Sequence, residues 1–164
     1  MTDFFNKTDL SRNDAEKIIS ETLNNCDDGE LYLESSKSES IVLDDDKIKS
    51  STYSSDLGYG LRAVTGEVVA YSHSNEISKN SIKQSADNLS STLKSKKGVY
   101  NHEIPKTNEK FYKDINPIEE KSLQSKLELL KEVNNYTRAK GGIVQQVTAS
   151  FSGEHKSIEI IRSG

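Results

Sequence analysis

Hydrophobic and polar positions along this chain alternate between two periods. Residues 11–26, SRNDAEKIISETLNNC, place Ala15, Ile18, Ile19 and Leu23 three to four apart. A polar cap at Ser11 precedes them and acidic residues occupy the first turns, which predicts a short amphipathic helix facing a sheet. After a break at 24–29, period two takes over in LYLES (31–35), ESIVLDD (39–45) and KIKSSTYSS (47–55). Leu31 and Leu33 alternate with Tyr32 and Glu34, so one face is expected to be buried and the other partly wet. Asp44-Asp45-Asp46 lacks the spaced ligands and the glycine of a calcium loop, and reads as a tight hairpin turn.

Two further strands, LGYGLRAV and VVAYSHS, are joined by Thr65-Gly66-Glu67, a joint suited to positive φ. Gly58 and Gly60 alternate with Leu57, Tyr59 and Leu61. Both glycines therefore point to one face and open it to the close approach of a backbone or a helix. Asn75 is the expected cap of a second helix, whose stripe is Ile77, Ile82, Ala86, Leu89 and Leu93. Residues 95–117, with Gly98, Pro105 and Pro117, form the longest irregular piece. A third helix is expected over 118–138, with Leu123, Leu127, Leu130 and Val133 inward and Gly141-Gly142 as its stop. A hairpin of strands 143–153 and 155–164, turning at Ser152-Gly153-Glu154, completes the pattern. The order is helix, strand run, helix, loop, helix, hairpin: an α+β fold with a mainly antiparallel sheet and flanking helices. The whole of 1–164 reads as one domain. Its ending, IEIIRSG, has few polar residues after the last strand and reads as a cut within a longer protein.

Composition changes this picture modestly. Hydrophobic residues make up 32% of the 164, below the usual globular share even with glycine added. Either the core is thin or another segment or partner completes it. The 22 basic residues stand against 26 acidic ones, a net charge of −4 with the signs interspersed, which argues against a nucleic-acid binder relying on a basic face. The run Lys94-Ser95-Lys96-Lys97 suits the end of a helix. One cysteine, Cys26, excludes an intrachain disulfide and a paired-cysteine metal cluster. With no signal-peptide pattern and no membrane-length apolar run, a reduced, cytoplasmic setting is expected.

Candidate chemistry is sparse. His73 leaves a strand just before a helix and reads as a surface residue near a cap. His102-Glu103 begins like a zinc-protease helix, but Pro105 breaks the helix and no second histidine follows at the required turn. His155 has only Glu154 nearby. No nucleophile elbow or Walker loop occurs, and Gly58-x-Gly60 lacks the third glycine of a dinucleotide site.

Taken together, Tyr32-x-Glu34, Ser38-Glu39-Ser40 with Val42-Leu43, Lys49-Ser50 and Gly58-x-Gly60-x-Arg62-Ala63-Val64 with Gly66 resemble the N-terminal domain of the TldD/PmbA family, the so-called modulators of DNA gyrase. The later run QQVTASFSGEHKSIEIIRSG is similar to a hairpin of that family. The pattern is closer to TldD than to PmbA/TldE. The resemblance implies a cytoplasmic metallopeptidase that cuts unfolded peptides as a heterodimer with a PmbA/TldE-like second subunit. Its divalent metal, expected to be zinc, would sit in a His-Glu-x-x-x-His of a C-terminal TldD-type domain. No residue here matches that motif, so no catalytic residue, metal ligand or cofactor is carried over, and neither nucleic acid nor membrane is an expected partner. The substrate-cleft or structural candidates are Gly58, Gly60 and Arg62, with Arg62 expected to anchor a buried carboxylate or carbonyl. The rival expectation is a free-standing peptide- or protein-binding regulatory module.

Overall fold

The computed structural model of the chain describes residues 4–6, 8–93, 98, 113 and 115–162. Ser11 caps the first helix by accepting the amide of Asp14, and α1 runs Arg12–Leu23 with Ala15, Ile18, Ile19 and Leu23 buried, as the spacing predicts. Three strands follow, β1 (Asp28–Asp44), β2 (Lys47–Thr65) and β3 (Val68–Ser74). Next come α2 (Lys79–Leu93), the single turn α3 (Pro117–Glu120), α4 (Leu123–Arg138) and a last strand, β4 (Thr148–Ile161). The sheet order is β3-β2-β1-β4, with β2 and β3 antiparallel, in keeping with an α+β fold.

Several expected boundaries give way. The stretches 31–35 and 39–45 are one strand, as are 47–55 and 57–64. The serine-rich joints between them hold no residue with positive φ and simply stay extended. The predicted final hairpin is likewise one strand. Gly153 makes no turn there but lies within β4, where a Cβ would stand in ordinary contact with Ile118, 3.6 Å from its Cγ1. Asn75 is not the cap of α2. Ser78 is, accepting the amide of Ser81 at 3.1 Å, with buried Ile77 just before it. The predicted 118–138 helix breaks at Lys121, whose backbone is extended (φ −117°, ψ 138°), and α4 restarts at a new cap, Ser122. Most of 95–117, including His102-Glu103, and the whole basic run 94–97 lie outside the described residues.

Both tight turns meet expectation. Asp45 (φ 46°) and Asp46 (φ 64°) are the two left-handed residues between β1 and β2, the pattern of a type I′ hairpin. Gly66 (φ 58°) supplies the left-handed residue between β2 and β3.

The chain divides into two compact units, residues 1–35, 56–111 and 157–164, and residues 36–55 and 112–156. In the first, α1 and α2 cover one sheet face. Leu31 and Leu33 of β1, Tyr59, Leu61 and Ala63 of β2, Ala70 of β3 and Ile161 of β4 join the helix stripes in one core. Within it the Tyr59 hydroxyl lies 2.8 Å from both Ser81 and Ser85 Oγ, and Ser72 Oγ is also 2.8 Å from Ser85. These contacts meet the hydrogen-bonding needs of a tyrosine that is otherwise buried.

The second unit has a smaller core of Ile41, Leu43, Leu130 and Ala149, flanked by Leu127 and Phe151. Here the predicted stripe of α4 is rotated. Lys126, Leu130 and Asn134 are its buried residues, whereas Leu123 and Val133 are exposed. The rotation follows from Lys126, whose ammonium donates to the partly buried Glu39 and, at 2.6 Å, to the Ile118 carbonyl, and lies 5.6 Å from the Phe151 ring centroid. A paired charge therefore occupies a core position that hydrophobic patterning assigns to leucine.

Candidate functional site

Two surfaces stand out, one in each unit. In the first unit α1 and α2 cover one sheet face, and among the described residues no helix covers the other. Strand alternation brings to that face Asp28, Glu30, Tyr32 and Glu34 from β1, Gly58, Gly60 and Arg62 from β2, and Val69, Tyr71 and His73 from β3. Register pairs Gly60 with His73 and Arg62 with Tyr71.

The two glycines do different work. A Cβ on Gly58 would come within 2.9 Å of the Ser74 carbonyl oxygen, so this position needs a glycine for the close approach of a backbone. At Gly60 the neighbour is a side chain: Tyr71 leans diagonally across, its hydroxyl 2.5 Å from where a Cβ would stand. Tyr71 in turn stacks on His73, with ring centroids 5.8 Å apart. The result is an open groove of about 380 Å³ floored by β2 and walled by Tyr71 and His73 on one side and by Tyr32 and Glu34 on the other. Tyr32 donates to Glu34 at 2.5 Å. That hydrogen bond, with burial and the carboxylate charge, pushes the phenol up to about 12.

Arg62 does not line the groove. It lies further along the same face, donating to Asp28 at 2.5 Å and Glu30 at 3.1 Å, while Arg162 donates to the other oxygen of Glu30 at 2.7 Å. Arg62 thus pairs with two carboxylates, both half-buried rather than buried. Burial pushes the Asp28 carboxyl up, but the hydrogen bond and charge of Arg62, the Gly29 amide and Arg162 together hold it below the usual range. The guanidinium of Arg62 is shifted upward, chiefly by its hydrogen bond to Asp28.

In the second unit the feature is an edge. β3 pairs with β2 only from Tyr59 onward, and residues 47–57 are exposed throughout. Among the described residues no strand lies on that side of β2 over Ile48 to Tyr53. Lys47 and Lys49 at its start are charges of the kind that blunt exposed edges, but the SST that follows carries none. Two of the neighbouring aspartates are engaged in structure: Asp44 accepts from Gln146 at 2.8 Å and Thr148 at 3.0 Å, and Asp45 from the Val147 amide and Arg138. Among the described residues no three metal-ligating side chains converge, so none of them fits the metal that the family resemblance implies. No helix among them is long and apolar enough to cross a membrane.

Sequence reasoning singled out Gly58, Gly60 and Arg62 but missed Tyr32, Glu34 and Tyr71 as groove walls. The two-residue turn at Gly66 sets a register that already places His73 opposite Gly60, so half of the groove was within reach of the sequence.

Comparison with known proteins agrees with this architecture. The domain family described as PmbA/TldA metallopeptidase domain 1 matches residues 29–93, from β1 through α2. The metalloprotease TldD homolog of Buchnera aphidicola subsp. Acyrthosiphon pisum is 35% identical over 133 residues, covering 80% of this chain and 28% of that protein. The TldD homolog of Haemophilus influenzae is 32% identical, covering 84% and 29%. This chain thus spans under a third of the length of these relatives. In fold it is similar to TldE from Thermococcus kodakarensis, with a TM-score of 0.57 at 14% identity, covering 90% of this chain and 34% of the other. The match across the strand run, the two homologues and the shared fold converge on one conclusion: the chain belongs to the TldD/PmbA family, as its N-terminal domain.

Proposed function

We propose that this chain is the substrate-side domain of a TldD-type metallopeptidase acting on unfolded peptides. It guides the peptide and offers surface to a C-terminal catalytic domain and a TldE-like second subunit, while the metal chemistry is carried by residues outside this chain. Two relatives named metalloprotease TldD homolog support the enzyme class. The observation that carries the substrate role is the exposed edge of β2 over Ile48 to Tyr53. An extended peptide adds to such an edge through main-chain hydrogen bonds. That mode reads backbone and ignores most side chains, as cleavage of unfolded chains with little sequence preference requires. Gly58, Gly60 and Arg62 shape the sheet face of the first unit, Gly58 by admitting the Ser74 backbone, Gly60 by admitting Tyr71, and Arg62 by fixing the carboxylates of β1.

The test is hydrogen exchange of the chain with an unstructured peptide and with the same peptide N-methylated at alternate residues. The plain peptide should protect amides of 48–53 and the methylated one should not. Equal protection by both, or protection elsewhere, contradicts edge pairing.

A further inference from the structure

The second unit has another open edge, and unlike that of β2 it stands beside an apolar wall. β4 ends the sheet order, and among the described residues no strand lies on its outer side. The Val147 carbonyl accepts the Asp45 amide at 2.9 Å, and the Val147 amide donates to the Asp45 carboxylate. Val147 thus turns its backbone toward the end of β1, and alternation turns the amides and carbonyls of Thr148, Ser150 and Ser152 outward. Beside this edge α4 exposes Leu129, Val133 and Tyr136, a stripe at helical spacing. Leu129, Val133 and Thr137 wall a groove of about 410 Å³ whose other side is residues 146–151, and among the described residues no charged side chain lines it.

Edge and stripe both fit a second copy of the chain. About a twofold axis at Ser150, antiparallel pairing sets Thr148 against Ser152 of the other copy and joins the outward backbone groups. On the helix side it sets Phe151 against Ala149 and Val147 against Gly153, each time a large residue against a small one. α4 packs over β1 and β4, with Leu130 against Ile41, Leu43 and Ala149. Two strand spacings, roughly 9.5 Å, would then separate α4 from its copy, which is the separation of packed helices. The chain has a net charge of −4, and this uncharged face lets two copies meet without opposing like charges.

We propose that two copies of this chain associate through their β4 edges around Ser150, joining their sheets and packing the Leu129, Val133 and Tyr136 stripe of one α4 against that of the other. The inference does not depend on the peptide reading, which uses the β2 edge.

The experiment is sedimentation equilibrium of the chain over a concentration series at low and high salt. A monomer–dimer equilibrium that added salt does not weaken is expected. Val133→Lys sets like charges across the axis and should raise the dimer dissociation constant at least about tenfold. Val133 is 43% exposed, so this variant should keep the thermal midpoint of the unsubstituted chain. Ser150→Pro removes an outward amide, a change that an edge strand tolerates, and should abolish the dimer. For the register, Ser150→Cys should give a disulfide-linked dimer on oxidation, because facing Cα atoms in such a pair stand about 5.5 Å apart. Thr148→Cys, which faces Ser152, should not. A chain monomeric throughout, a dimer that survives both Val133→Lys and Ser150→Pro, or a dimer that Ser150→Cys fails to link overturns the proposal. A monomeric chain that takes up a TldE-like subunit through these positions also overturns it and assigns the edge to that subunit.

Discussion

Tyr32 and Glu34 sit two apart on one strand face, and their hydrogen bond has a measurable consequence. The folded phenol is raised from 10 to about 12, so the fold favours its neutral form. That contribution to stability is fully present below the ordinary tyrosine range and is lost as pH climbs from about 10 through about 12. In an absorbance titration the Tyr32 phenol should ionise late, and Glu34→Gln should lower its midpoint. Lys126 and Glu39 make a second residue-scale claim. Their side chains are only 5% and 11% exposed, so removing one strands the other. Glu39→Ala should cost about 3–5 kcal/mol in denaturant unfolding, and pairing Glu39→Leu with Lys126→Met should recover much of it. Neither pair was legible in the sequence. A lysine among leucines reads as surface until its partner, 87 residues away, is known to lie beneath it.

Elements were easier to read where local chemistry decides them. The stripes of α1 and α2 and the two tight turns follow from spacing and turn residues. The misreadings fall where a local turn signal was not realised: Gly153 looked like a turn but lies within β4, and the joints within β1 and β2 remain extended. The aspartate turn separates two roles cleanly. Asp46 holds a left-handed conformation (φ 64°) that disfavours a Cβ by roughly 1 kcal/mol, so Asp46→Gly should raise stability by up to about that amount. Asp45→Ala removes the acceptor of the Val147 amide and of Arg138 and should lower stability by about 1–3 kcal/mol. Thermal unfolding of the two variants checks both signs.

At the scale of the molecule, the sequence pointed to the family, an α+β class and a low apolar share. The structure adds that the described residues form two units with separate cores, and that large apolar side chains such as Tyr71, Val133 and Tyr136 stay exposed. The chain spans 28% of the length of a TldD relative. The central claim is that this chain guides substrate and leaves the chemistry to other parts. The most direct measurement is cleavage of an unstructured peptide by the chain alone, by the chain combined with a C-terminal TldD-type domain and a TldE-like subunit, and by that combination with chelator. Cleavage only in the chelator-free combination is the predicted result. Cleavage by the chain alone, or an equal rate when the chain is left out of the combination, would contradict the account.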